Sequence, residues 1–190
     1  MNGYLSGTEL AELRHWAVLS AGTALEVGHY EGLSTSVLLQ SLSSGVVLYS
    51  VDHHAGDHHV EATQIATFEE NVSELRHSGP VLIPVYRDFR EFATWGITGF
   101  GFVFYDAEHS VVGCRDFWGL FAARMLPDCL LLYDDADWGE MVELGRLAER
   151  AGFVDVTRLP FQRLNGDKQN AQTYTLKVLR RGRNYVDLAV

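Results

Sequence analysis

The chain predicts an α/β fold with a mostly parallel sheet, on three observations. Short apolar runs alternate with stretches of helical periodicity. Two of the runs, Phe100 to Tyr105 and Cys129 to Tyr133, are apolar at nearly every residue, as strands covered by helices on both faces must be. The rhythm then ends in two strand-like runs, Phe153 to Leu159 and Thr173 to Leu179, with no helix between them, which predicts an antiparallel hairpin.

Each element follows from its own pattern. Leu10, Leu13, Trp16, Ala17 and Val18 recur at mostly helical spacing, so a leading helix is expected over Ser6 to Ser20, with Ser6 or Thr8 as its cap. Strand and helix then alternate: Ala24 to Val27, Leu33 to Leu42, Val46 to Val51, Val60 to His77, Val81 to Val85 and Phe89 to Trp95. Strand Phe100 to Tyr105, helix Val111 to Met125, strand Cys129 to Tyr133 and helix Trp138 to Ala151 complete the series, and Gly152 closes the last helix. Gln162 to Gln172 reads as a polar connection within the final hairpin, and no linker or repeat divides residues 1–190, so one domain is expected.

Composition narrows the function. With 47% apolar and 12% aromatic residues in 190, a substantial core is available. No apolar run reaches the roughly 18 residues of a membrane helix, and Met1 to His15 has no basic segment followed by an apolar one, so a soluble cytoplasmic protein is expected. A formal charge of −10 opposes attraction to phosphate and argues against nucleic-acid substrates. The one basic cluster, Arg180, Arg181 and Arg183, reads as a solvated strand end. Cys114 and Cys129 have no metal spacing and read as core residues.

The stretch Ala24-Leu25-Glu26-Val27-Gly28-His29-Tyr30-Glu31-Gly32-Leu33-Ser34-Thr35 reads as a buried strand, a glycine loop and a helix start in succession. Gly28 and Gly32 let backbone approach a ligand and accept positive φ, while Ser34 and Thr35 are candidate caps of a helix whose first amides face the same crevice. The loop lacks the G-x-G-x-x-G of a dinucleotide site. Its spelling, E-V-G-x-x-x-G-x-S, resembles motif I of the class I S-adenosylmethionine (SAM)-dependent methyltransferases. That resemblance implies a Rossmann-like class I methyltransferase fold, a mostly parallel seven-stranded sheet with a C-terminal antiparallel β-hairpin. It also implies that Glu26, Gly28, Gly32 and Ser34 lie at the SAM site.

In an open parallel sheet, ligands bind beyond the carboxyl ends of the strands, and acids recur there. Asp52 follows the second strand at the position of a ribose-binding acid. Asp88, after the third, suits an adenine contact by the resemblance or the N-cap of the short helix through Phe92. Asp106, Asp134 and Asp135 at adjacent strand ends form an oxygen-rich set suited to a hard divalent cation, Mg²⁺ first. Phe104-Tyr105-Asp106-Ala107-Glu108-His109 and Leu131-Leu132-Tyr133-Asp134-Asp135 resemble the catechol-type, metal-dependent small-molecule O-methyltransferases, where an Asp follows strand four and an Asp-Asn or Asp-Asp pair follows strand five.

His109 stands three residues beyond Asp106, where several catechol-type enzymes carry a lysine base, and neutral imidazole accepts a proton near neutrality. Asp106-Ala107-Glu108-His109-Ser110 also resembles the D-G-x-H-S stretch of a broader methyltransferase group that includes sugar and natural-product enzymes. The run His53-His54-Ala55-Gly56-Asp57-His58-His59 has no zinc spacing and reads as a loop over the cofactor. Tyr30, Glu31 and Trp138 are candidates for the pocket mouth. The expected function is therefore SAM-dependent, metal-assisted O-methylation of a small hydroxylated acceptor such as a catechol, sugar or natural product, with His109 as base. Two alternatives stand beside it: a metal-independent enzyme using His109 alone, and a non-catalytic module of the same fold that binds a partner protein. The sequence leaves open whether a second subunit completes the pocket as a homo-oligomer.

Overall fold

Helices on both faces of a seven-stranded sheet account for the uninterrupted apolar strands. The computed structural model describes residues 5–53, 61–77, 79–158 and 176–182. The strands are β1 (Thr23–Val27), β2 (Val47–Val51), β3 (Val81–Val85), β4 (Phe100–Tyr105), β5 (Met125–Tyr133), β6 (Phe153–Asp155) and β7 (Lys177–Arg181). The helices are α1 (Gly7–Val18), α2 (Leu33–Ser41), α3 (Glu61–Val72), α4 (Phe89–Ala93), α5 (Val111–Phe121) and α6 (Val142–Arg150). The sheet order is β3-β2-β1-β4-β5-β7-β6; β1 to β5 are parallel, and β7 inserts antiparallel between β5 and β6.

Alternation along a strand sends neighbouring side chains to opposite faces. Val103 and Tyr105 of β4 join one buried cluster with Phe89, Phe92, Phe117, Phe121 and Leu144 from α4, α5 and α6. Phe102 and Phe104 join the other with Leu13, Trp16, Leu38 and Phe68 from α1, α2 and α3. Each face of the central strands is thus sealed, and their C-terminal ends are left to carry polar residues.

Several boundaries differ from expectation for identifiable reasons. Ser6 caps α1 through a reciprocal box, its hydroxyl accepting the Glu9 amide at 3.3 Å while the Glu9 carboxylate accepts the Ser6 amide at 2.8 Å. Ser34 and Thr35 do not cap α2. That place falls to Gly32, at φ +89°, which puts both hydroxyls inside the first helical turn. Helix α5 stops at Phe121, where the chain tightens into a 3₁₀ turn over Ala122–Arg124, and β5 starts at Met125 instead of Cys129, with Pro127 biasing Leu126 to extended backbone. Tight turns over 135–141, with the Trp138 amide on the Asp135 carbonyl at 2.8 Å, delay α6 to Val142. Strand β6 is short because the Asp155 carboxylate accepts the Thr157 amide at 2.9 Å and turns the chain. Val60, His54 to His59, Leu159, the connection Gln162 to Gln172, Thr173 and Arg183 lie outside the described residues. Among the described residues, no helix is long and apolar enough to cross a membrane.

Candidate functional site

Hydrogen bonds continue the sheet ladder one residue past the strands and set the candidate groups in a row. The Asp52 amide donates to the Val85 carbonyl (3.0 Å), the Gly28 amide to Val51 (2.8 Å), the Asp106 amide to Val27 (2.8 Å) and the Asp134 amide to Tyr105 (3.2 Å). This row lies where the connection from β1 runs toward β2 and the connection from its neighbour β4 runs the other way toward β5, the crevice in which open α/β sheets bind ligands.

Gly28 closes the row tightly. At φ +92°, a Cβ there would fall 1.8 Å from the Asp106 carbonyl oxygen, so only glycine lets the β1 loop lie against the end of β4. Beyond it, Asp52 holds the loop in shape, since its Oδ2 accepts the amides of His29 (3.0 Å) and Tyr30 (2.8 Å), and Tyr30 adopts φ +45°. Asn71 of α3 donates to the Glu31 carbonyl at 2.8 Å and secures the far side.

Beneath the loop lies a buried polar network. Glu26 is fully buried, and its Oε2 accepts the hydroxyls of Thr35 and Ser50, each at 2.6 Å. Its Oε1 is buried without a hydrogen-bond partner. Burial pushes the Glu26 carboxyl up to about 7 against the lowering pull of Ser34, Ser50 and Thr35, with the nearby Asp106 charge adding to the rise. His29 extends the network, its Nδ1 2.8 Å from the Ser50 hydroxyl and its ring stacked on Phe68 at 4.0 Å. His29 and Ser50 have no role in the sequence reading, and Thr35 has only that of a candidate helix cap. The only signal was position, in or next to the glycine loop and on β2.

Across the crevice Asp106, His109 and Asp135 converge, with one ligand atom from each lying within 4.8 Å of the others. His109 Nε2 is 3.6 Å from the Asp106 carboxylate and 3.4 Å from that of Asp135. That nitrogen is buried and makes no hydrogen bond. Two carboxylates and an imidazole fit a divalent first-row ion such as Mn²⁺ as well as Mg²⁺. Asp135 takes φ +50° to reach this place. Asp134, though adjacent and buried, is not among the three converging groups, and His109, expected as base, is. The Trp138 ring, 39% exposed, lies 5.1 Å from that of His109.

Asp88 caps α4, accepting the Arg90 amide at 2.7 Å, and pairs with the Arg90 guanidinium at 3.2 Å. Ser34 is buried beside Glu26. Cys114 and Cys129 are both buried, and burial raises both thiols. Arg181 donates to the Met125 carbonyl at 2.8 Å, so part of the basic cluster pins the start of β5.

A central glycine loop, acids at the strand ends and an inserted antiparallel β7 define the class I methyltransferase fold. Residues 25–136 match the model of a methyltransferase domain, and the chain belongs to that family. Similar solved structures include an O-methyltransferase from Bacillus cereus in complex with SAH (13% identity, 93% of this chain and 82% of that one, TM-score 0.63). Another is the O-methyltransferase TomG from Streptomyces achromogenes, involved in tomaymycin synthesis and in complex with SAM (13%, 94% and 81%, 0.65). An rRNA methylase from Streptococcus thermophilus is equally similar (11%, 95% and 99%, 0.64). No curated protein matches the chain.

Proposed function

We propose that this methyltransferase-family chain transfers the methyl group of SAM to an oxygen of a small hydroxylated metabolite, assisted by a divalent cation. The observation that carries the proposal is the convergence of Asp106, His109 and Asp135 next to a loop whose Gly28 lies directly against Asp106. Glu26, Gly28, Gly32 and Ser34 are assigned to the methionine side of SAM, Asp52 to the ribose and Asp88 to the adenine end. Asp106, Asp135 and His109 would hold the cation, with Asp134 as the neighbouring acid. Bound SAM supplies an electrophilic methyl, and a bound Mg²⁺ or Mn²⁺ lowers the pKa of the acceptor hydroxyl. The protein's own contribution is to hold acceptor and methyl in line and keep water out, with Trp138 as a wall for the acceptor.

The 3.4 and 3.6 Å approaches of His109 to two carboxylates also support a metal-free variant, in which Asp106 and Asp135 orient the imidazole and stabilise it once it has taken the acceptor's proton. Calorimetric titration with S-adenosylhomocysteine, with Mg²⁺ or Mn²⁺ and then with EDTA, tests the cofactor. Binding in both buffers is expected, and none in either would remove the SAM assignment. Turnover of a hydroxylated acceptor should be lost in EDTA and in Asp106→Ala, whereas activity indifferent to EDTA would favour His109 alone.

A further inference from the structure

The loop that carries His109 is fixed by a residue outside the converging site. Arg90 on α4 spreads its guanidinium over three carboxylates from three segments. Nε donates to Asp116 of α5 at 2.7 Å, Nη1 lies 3.2 Å from Asp88, and Nη2 donates to Glu108 at 2.8 Å. The same guanidinium lies over the Phe89 ring, 4.4 Å from its centroid. Glu108 directly precedes His109 and is held on every side. Its second carboxylate oxygen accepts the Ser110 hydroxyl at 2.6 Å, and its carbonyl accepts the hydroxyl of buried Tyr105 at 2.8 Å. Its side chain lies on Gly113, where a Cβ would come within 2.7–2.9 Å of it. Hydrogen bonds from Ser110 and Arg90 hold the Glu108 carboxyl below its ordinary range.

We propose that Arg90 is a positioning residue for His109: by gripping Glu108 against α4 and α5, it sets the backbone of residues 106–110 so that the imidazole faces Asp106 and Asp135. This rests on the reading that His109 works at that site. Isolated exposed ion pairs add little stability, whereas one planar fork satisfying three carboxylates fixes geometry in a way that a lysine point charge cannot. The polarity of the arrangement makes the proposal testable. Removing a cation near an acidic site should, by charge alone, tighten cation binding there; losing the alignment should weaken it.

The experiment compares wild type, Arg90→Gln, Arg90→Lys and Glu108→Gln in two ways. Mn²⁺ affinity is read from the EPR signal of unbound Mn²⁺, and the rate of His109 modification by diethyl pyrocarbonate in EDTA is followed by mass spectrometry. Arg90→Gln and Glu108→Gln should weaken Mn²⁺ binding about tenfold, the scale seen when a ligand loses its outer support, and expose the buried Nε2 so that His109 reacts several-fold faster. Arg90→Lys should recover part of both effects, and in Glu108→Gln, which leaves Asp88 and the glycine loop untouched, affinity for S-adenosylhomocysteine should stay within about twofold. Unchanged or tighter Mn²⁺ binding by Arg90→Gln would overturn the proposal, as would an unchanged His109 reaction rate. If the wild-type protein binds no Mn²⁺, the metal reading alone fails, and the His109 rate decides the role of Arg90.

Discussion

Glu26 joins sequence, burial and acid–base behaviour in one side chain. It is the penultimate residue of β1 and is fully buried, and Thr35 and Ser50 share one of its oxygens while the other has no hydrogen-bond partner. Its carboxyl is raised from 4.5 to about 7, so the folded protein binds this proton more tightly than the unfolded chain does. The stabilising contribution is therefore fully present below about pH 4.5 and lost as pH rises through 7, a change of about 3 kcal/mol over that window. Glu26→Gln should lose this dependence. In urea titrations at pH 4.5 and pH 8, the stability difference between variant and wild type should move by about 3 kcal/mol in favour of the variant at the higher pH. A constant difference would mean that Glu26 titrates as an ordinary carboxylate.

The element that matters most is the loop from β1 to α2, whose glycines do different work from glycines elsewhere. Gly28 and Gly45 both have positive φ, +92° and +88°, but a Cβ at Gly45 meets nothing within 4 Å, whereas one at Gly28 strikes the Asp106 carbonyl. Gly45→Ala should cost about 1 kcal/mol of strain and leave binding of S-adenosylhomocysteine unchanged. Gly28→Ala must push the loop away from β4, and calorimetry should show affinity falling roughly 100-fold, about 3 kcal/mol. Equal effects of the two substitutions on binding would mean that close approach at Gly28 is not what shapes the crevice. This loop was legible in sequence because glycine, acid and apolar run follow one another at fixed spacing. Its cap was not, because Gly32 in a left-handed conformation displaces Ser34 and Thr35 from the capping position. The start of β5 and the late start of α6 were likewise hidden, since Pro127 and the positive φ of Asp135 act through local backbone geometry that periodicity does not record. The Arg90 grip on Glu108 joins residues 18 positions apart and has no sequence signature.

At the scale of the whole molecule, the two-sided core follows from hydrophobic patterning, which is why the parallel sheet and closing hairpin could be read from the chain alone, whereas the strand order could not. Which of the clustered acids meet could not, because Asp134 and Asp135 are adjacent in sequence and only the fold decides which one turns toward His109. The fold also leaves the acceptor open, since O-methyltransferases and an rRNA methylase resemble this chain to similar degrees. Charge separates these cases. Neutralising phosphates with Lys and Arg supplies most non-specific affinity for RNA, and this chain sets 15 basic residues against 25 acidic ones. At about 50 mM salt, where such attraction is strongest, fluorescence anisotropy of a labelled RNA about 20 nucleotides long should show no binding up to roughly 10 µM protein. A salt-sensitive complex at lower concentration would mean that a local basic surface outweighs the net charge of −10, and would move the acceptor from a small metabolite to RNA.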